Sequence, residues 1–372
     1  MADVVSRRLT QLFDECGQSP WLDNLKRDLL ESGELARLRD SGVRGLTSNP
    51  TIFQKAIQGS DSYDSQLREL LRVGSSIDEC YWRLVLTDIL GALDVFEPLH
   101  VASRGLDGYV SLEVDPHLSG DADATLASAE RIWNDVGRSN LMVKIPGTKA
   151  GLPAVRAAIA RGVNVNVTLI FGLDRYQAVM ESYISGLEDR LAAGSPIDTI
   201  ASVASFFVSR VDTEIDARLV AIGTPEALDL QGRAAVAQAQ LAYDAFRRTF
   251  AGDRWQRLAD AGAAVQRPLW ASTSTKNPSY PDTLYVDRLI GPDTVNTLPD
   301  ATLEAFSDHG TPTRTVDGDL ALAHRVWTGL REVGVDVDDV ALKLENEGLA
   351  SFVASHDDLL DALRRKAESW SI

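Results

Sequence analysis

Arg138-Ser-Asn-Leu-Met-Val-Lys-Ile-Pro-Gly-Thr-Lys149 is the stretch on which the reading of the whole chain turns. Its segment 140–145 is short and mostly apolar, and Pro146-Gly147 stops it. A run of that length between turn residues reads as a buried strand of a parallel sheet. Lys144 stands at its C-terminal end. A lysine is almost never fully buried without a partner or a purpose. Desolvation disfavours the charged amine and frees it to act as a nucleophile. The competing reading is a strand-end lysine whose ammonium group snorkels to water.

Outward from this strand the same rhythm recurs. Residues 3–16 carry helical spacing, and Pro20-Trp-Leu-Asp-Asn24 reads as a first strand with Asp23 near its end. Residues 25–41 are helical with an interruption at Gly33, and Gly42 closes them as a C-cap does. A second strand covers 43–48 and is followed by Asn49-Pro50 and a new helix at Thr51. Residues 61–104 are mostly helical, a longer connection than usual, and lead to a third strand at 108–113. A helix at 121–136 precedes the strand that ends in Lys144, and another at 149–161 stops at Gly162.

Val163-Asn-Val-Asn-Val-Thr168 is the fifth strand, with valines on one side and Asn164, Asn166 and Thr168 on the other. Such alternation fits either a solvent-exposed face or polar groups projecting into a barrel near its rim. A helix at 174–193 and a sixth strand at 200–208 follow, then Arg210 and helical stretches at 212–222 and 226–260. The seventh strand is 267–271, trailed by the Ser/Thr-rich loop 272–278, and the eighth is 294–298. Helices at 300–308, 317–332 and 338–369 complete the chain. Eight strands alternating with helices, with no linker and no internal repeat, predict one (β/α)8 TIM barrel over residues 1–372. It carries additional helices and a helical C-terminal tail. A doubly wound open sheet is the alternative.

Composition narrows the function. A formal charge of −17 argues against nucleic acid and against an anionic membrane surface. A phosphorylated substrate would then need a local cationic patch. Cys16 and Cys80 have no CxxC spacing, the N-terminus has no apolar signal-like segment, and no run of residues is long and apolar enough to span a membrane. The expected location is the cytoplasm. The five histidines (His100, His117, His309, His324, His356) show no HxH or HExxH pairing, so no metal is expected, and His117 reads as a loop residue. Oligomeric state is open between monomer and homodimer.

In such barrels the chemistry sits at the C-terminal ends of the strands. The polar residues there are Asp23, Asn49, Ser111, Glu113, Lys144, Asn166, Thr168, Ser205, Arg210 and Lys276. Ser111 and Glu113 share a strand face, as do Asn166 and Thr168. One amine, two carboxylates, several hydroxyls and amides and two further cations suit Schiff-base carbon–carbon chemistry. Residue by residue, structural readings compete. Asp23 fits a helix N-cap, Asn49-Pro50 an ordinary turn and helix start, Glu113 a partner for a structural cation, and Arg210 the surface. The pair Phe206-Phe207 reads as packing.

Six segments carry a family resemblance. They are Gly45-Leu-Thr-Ser-Asn-Pro-Thr-Ile-Phe53, Val110-Ser-Leu-Glu-Val-Asp115, Leu141-Met-Val-Lys-Ile-Pro146, Asn164-Val-Asn-Val-Thr-Leu-Ile-Phe171, Ser205-Phe-Phe-Val-Ser-Arg210 and Ala271-Ser-Thr-Ser-Thr-Lys-Asn277. Together they resemble the transaldolase family. The resemblance implies that Lys144 attacks the ketone of a ketose phosphate and forms an imine, with Asp23 as general base. Glu113, with Thr168 holding a water, would shuttle protons. Asn49 and Asn166 would hold the three-carbon unit, with Ser111 in support, and Ser205, Arg210 and Lys276 would bind phosphate. No cofactor is implied. The substrates would be sedoheptulose 7-phosphate and glyceraldehyde 3-phosphate, in the pentose phosphate pathway.

For the amine to stay uncharged, both carboxylates should stand off from it or act through water. Phe207 takes the place where aldolase relatives tend to carry a tyrosine. Lys276 departs from the arginine that the family commonly uses after the seventh strand, and it lacks the bidentate fork. The long 61–104 region also departs from the shorter members, and the C-terminal tail adds nothing diagnostic. A fructose-6-phosphate aldolase and a non-catalytic sugar-phosphate sensor are the rival readings.

Overall fold

Eight parallel strands, each hydrogen-bonded to its neighbours in sequence, close into a barrel when the first pairs with the eighth. The computed structural model describes residues 2–370, with side chains from residue 7 onward. The strands are β1 (Gln18–Leu22), β2 (Gly45–Thr47), β3 (Tyr109–Glu113), β4 (Leu141–Pro146), β5 (Val165–Ile170), β6 (Ser202–Phe207), β7 (Arg267–Ala271) and β8 (Thr294–Leu298). The (β/α)8 barrel with extra helices is therefore the fold, and the open sheet is excluded.

β7 and β8 begin and end where the sequence placed them. β1 starts two residues earlier than expected, because Gln18 and Ser19 are polar yet fully buried. Gln18 donates to the Leu289 carbonyl at 2.7 Å, and Ser19 donates to Asp107 at 3.0 Å. β5 starts later than expected, because Asn164 uses its amide to join neighbouring chain segments below the strand. It donates to the Ser139 and Leu141 carbonyls and accepts from the Ala201 N–H. The polar face of β5 is interior, since Asn166 and Thr168 are fully buried.

Residues 61–104 are helical as read, with helices Asp64–Arg72 and Ile77–Ala102. The second begins in a reciprocal capping box between Ser76 and Glu79. Arg27 and Tyr63 both bond the buried Asp88 at 2.9 and 2.7 Å, tying this connection to the helix Arg27–Glu31. The expected helix over 226–260 is instead three, Pro225–Leu228, Ala234–Thr249 and Asp253–Asp260. One of the breaks holds Gly232, at φ +68°. Glycine is required inside the barrel at Gly45, where an added Cβ would lie 2.6 Å from the Trp21 ring.

The C-terminal helix Val337–Ser369 does more than extend the chain. It packs along the helix Pro50–Gln58 and reaches β5. Thr51 and Ser355 share a hydroxyl hydrogen bond of 2.7 Å, and Gly348 lets the helix approach Leu169 closely. The tail thus lies over the C-terminal mouth of the barrel.

Candidate active site

Register sets the site. Glu113 pairs with Lys144 and Lys144 pairs with Asn166 across three adjacent strands. Partnered residues on parallel strands point to the same face. All three enter the barrel interior, where Lys144 and Glu113 are each 4% exposed. The snorkelling reading of Lys144 is therefore excluded. Its Nζ lies 3.7 Å from Glu113 Oε2 and donates to the Ser48 carbonyl at 3.3 Å.

Lys144 opens into a cavity of about 340 Å³ at the C-terminal mouth. Asp23, Asn49, Ser205, Arg210 and Lys276 line it with Lys144. Glu113, Ser111, Asn166 and Thr168 are outside that lining. Three of them form the layer behind it: Glu113 against Lys144, Asn166 bonded to Ser205, and Ser111 bonded to Asn166.

Asp23 lies one residue past β1, and its backbone N–H donates to the Leu298 carbonyl of β8. It is no N-cap, because the next helix starts at Arg27 with Lys26 at the cap position. Thr47 donates to Asp23 Oδ1 at 2.8 Å, and Thr297 stands 2.7 Å behind Thr47. Burial pushes the Asp23 carboxyl up from its ordinary range, against the pull of Lys144 and the Thr47 hydrogen bond. Asn49 satisfies both of its readings. Its Oδ1 caps the helix Pro50–Gln58 by accepting from the Ile52 N–H at 2.9 Å, while the residue lines the cavity.

Two expectations are corrected. Glu113 does not stand off from the amine. Burial outweighs the pull of Lys144 and pushes the Glu113 carboxyl up to about 7. A carboxyl that is half protonated near neutrality is a weak counter-ion, which lets it sit close to the amine. Both Glu113 oxygens and Thr168 Oγ1 are buried without a hydrogen-bond partner among the described residues. Such groups are rare in folded proteins and point to use. The family resemblance puts Ser205 among the phosphate ligands. Its hydroxyl instead donates to Asn166 Oδ1 at 2.7 Å, while Asn166 Nδ2 donates to Ser111 Oγ at 3.0 Å. This file of polar groups fixes the Asn166 amide and commits the Ser205 proton.

The cationic patch has a member that the sequence reading missed. Lys55 lines the cavity with Arg210 and Lys276. The burial of Arg210 lowers its pKa, and Lys276 is lowered by burial and then by the charges of Arg210 and Lys55. Three cations converge on one cavity in a chain of net charge −17, an arrangement suited to an anion. Ser272 and Ser274 join them, and Lys276 donates to Ser274 at 2.6 Å. Ser272 adopts a left-handed conformation at φ +56°, as does Leu169 at φ +59°, directly beyond Ala271 and Thr168. Strained non-glycine backbone of this kind clusters at functional sites. Phe207 lines the cavity, with the Arg210 guanidinium 5.5 Å from its ring centre. Ser351 and Phe352 come from the C-terminal helix, so the tail is part of the wall.

Residues 20–363 match the model of one protein family, described as transaldolase/fructose-6-phosphate aldolase. The chain belongs to that family. Its relatives include the transaldolase of Parafrankia sp. (strain EAN1pec), 52% identical over 98% of this chain and 99% of the relative. The transaldolase of Thermobifida fusca is 51% identical over 96% of this chain and 97% of its own length. Transaldolase 1 of Streptomyces coelicolor is 49% identical over 100% of this chain and 98% of its own. Family membership makes the chain an enzyme of the transaldolase type, with phosphorylated sugars as its substrate class. No helix among the described residues is long and apolar enough to cross a membrane.

Proposed function

We propose that this chain transfers a dihydroxyacetone unit from sedoheptulose 7-phosphate to glyceraldehyde 3-phosphate through a Schiff base on Lys144, within the pentose phosphate pathway. The observation that carries the reading is the Lys144 amine, buried 3.7 Å from Glu113 and facing a cavity that also holds Asp23 and three cations.

The Lys144 nitrogen adds to the C2 carbonyl and gives a carbinolamine. Glu113, poised near neutral pH, gives a proton to the departing hydroxyl, and water leaves as the imine forms. Thr168, with its buried hydroxyl unpartnered, holds that water. Asp23 takes the proton of the C4 hydroxyl. The C3–C4 bond breaks, erythrose 4-phosphate departs, and the bonding electrons enter the imine as an enamine. Glyceraldehyde 3-phosphate then accepts the enamine carbon, Asp23 returns the proton, and hydrolysis frees fructose 6-phosphate and Lys144. Asn49 and the fixed Asn166 hold the hydroxyls of the three-carbon unit, with Ser111 and Ser205 behind Asn166. Arg210, Lys276 and Lys55 neutralise the phosphate, with Ser272 and Ser274 as hydroxyl donors. The imine is itself the electron sink, so the scheme calls on no cofactor. Site residues run from Asp23 to Phe352, which supports reading 1–372 as one barrel unit. The unpaired thiols of Cys16 and Cys80 suit a reducing cytoplasm.

The test is reductive trapping. Borohydride with fructose 6-phosphate should add the mass of the reduced three-carbon adduct to Lys144, and Lys144→Ala should take none. An unlabelled parent chain, or label on another lysine, would overturn the assignment. The family name also covers fructose-6-phosphate aldolase. A transferase turns over only when an acceptor aldehyde is supplied, whereas an aldolase releases free dihydroxyacetone without one.

A further inference from the structure

The fold assembles a group of side chains that histidine spacing in the sequence conceals. Asp115 and His117 belong to the turn after β3, and His356 and Asp357 lie on the helix Val337–Ser369. One ligand atom from each of Asp115, His117 and His356 lies within 4.8 Å of the others. Asp115 Oδ1 is 2.9 Å from His117 Nδ1 and 3.9 Å from His356 Nδ1. On the far side of its ring, His117 Nε2 is 3.1 Å from Asp357. The His117 backbone N–H also donates to Asp115 Oδ1 at 3.0 Å, which holds the carboxylate in place.

The His356 ring decides what this cluster is for. It is 4% exposed and lies against the Tyr81 ring at 4.9 Å, and neither of its nitrogens has a hydrogen-bond partner among the described residues. Leaving a buried imidazole unmatched is costly. A proton on His117 satisfies Asp115 and Asp357 but does nothing for His356. A divalent cation engages Asp115, His117 and His356 together.

We propose that Asp115, His117 and His356 form a zinc-class metal site, completed by water, which fastens the C-terminal helix to the turn after β3. Two imidazole nitrogens and one carboxylate oxygen suit zinc or cobalt and poorly suit magnesium or calcium, which take oxygen ligands. Asp357 accepts from His117 Nε2–H, so the Nδ1 lone pair faces the metal. This is the carboxylate–histidine arrangement that orients metal ligands. Binding displaces the Nδ1 proton of His117 to solvent. The His117 and Asp115 side chains are 44% and 31% exposed, which leaves an entry path. Asp115 lies two residues beyond Glu113, and the same helix supplies Ser351 and Phe352 to the cavity.

The test uses the full chain stripped with a chelator, then titrated with Zn²⁺ by calorimetry and with Co²⁺ by visible absorption. The expected result is one equivalent per chain, the absorption bands of a low-coordinate Co²⁺ centre, and a Zn²⁺-dependent rise in Tm. His117→Ala and Asp115→Asn, both at partly exposed positions, should keep the metal-free Tm and lose binding. Asp357→Asn should weaken binding about 10–100-fold. His356→Gln should lose it as well, and the two exposed variants decide the matter should His356→Gln misfold. Absence of saturable Zn²⁺ uptake, or equal uptake by parent, His117→Ala and Asp115→Asn, would overturn the site.

Discussion

Charge is buried to similar depth at the two ends of the barrel, and the two ends treat it in opposite ways. At the N-terminal end, the fully buried Asp107 accepts from Arg44 at 2.6 Å, from Arg267 at 3.0 Å and from Ser19 at 3.0 Å. Arg267 also donates to Ser19 and to the Leu106 carbonyl. Burial works to raise the Asp107 carboxyl, yet Arg267 and Arg44 hold it below its usual range. At the C-terminal end, Glu113 has, among the described residues, one cation at 3.7 Å and no hydrogen bond, and burial prevails. Three more cations there face an open cavity. The matched charges hold strands together. The unmatched ones leave a raised carboxyl and a cationic cavity open, as the proposed chemistry requires.

Several substitutions can break or sharpen this contrast. The largest effect belongs to Lys144→Ala, which should lower kcat by roughly 10⁴-fold or more, as loss of a covalent nucleophile does. Its Tm should stay at or above that of the parent, because a buried cation leaves with it. Thermal melting beside steady-state rates checks both halves.

At the other end, Asp107→Asn should cost about 3–5 kcal/mol of stability, since the buried Arg267 and the partly buried Arg44 lose their counter-ion. The rate per folded molecule should not change. Chemical denaturation with active-site titration separates the two. Arg210→Ala should raise KM for phosphorylated substrates by about 10–100-fold, the worth of one charge-assisted contact, and change kcat less. Lys276→Arg should have the smallest effect, a KM change within about threefold, because charge is kept and only the fork geometry is added.

What could be read in advance follows from range. β8 lies between Gly291-Pro-Asp293 and Pro299-Asp300, and β7 ends at the Ser/Thr-rich run after Ala271, so local signals bound them. β1 and β5 shifted because polar residues at their lower ends serve the inside of the barrel. Lys144, Asp23, Arg210 and Lys276 were legible as polar residues at strand ends. Lys55 was not, since a lysine on an amphipathic helix usually faces solvent. Ser351, Phe352 and His356 were hidden for a similar reason. They lie on a long helix whose docking over the barrel mouth is set by tertiary contacts such as Thr51 to Ser355. The placement of Glu113 against the amine was missed because its proximity follows from strand register.

One paired measurement tests the contrast most directly: Tm and turnover of Glu113→Gln and Asp107→Asn, followed between pH 5 and 8. Between the ordinary carboxyl range and about pH 7, the folded parent keeps a proton on Glu113 that its unfolded chain has lost. Parent stability therefore falls as pH rises through that window, by at most about 3 kcal/mol. Asp107 contributes in the opposite sense: its stabilisation is present above the ordinary carboxyl pKa and is lost only as pH falls below it. Glu113→Gln is expected to flatten the decline, to match or exceed the parent Tm at pH 8, and to lose about 10²–10⁴-fold in turnover. Asp107→Asn is expected to lose stability across the range and keep its turnover. The contrary result, a Glu113→Gln chain that melts as early as Asp107→Asn while turning over at the parent rate, would contradict the account.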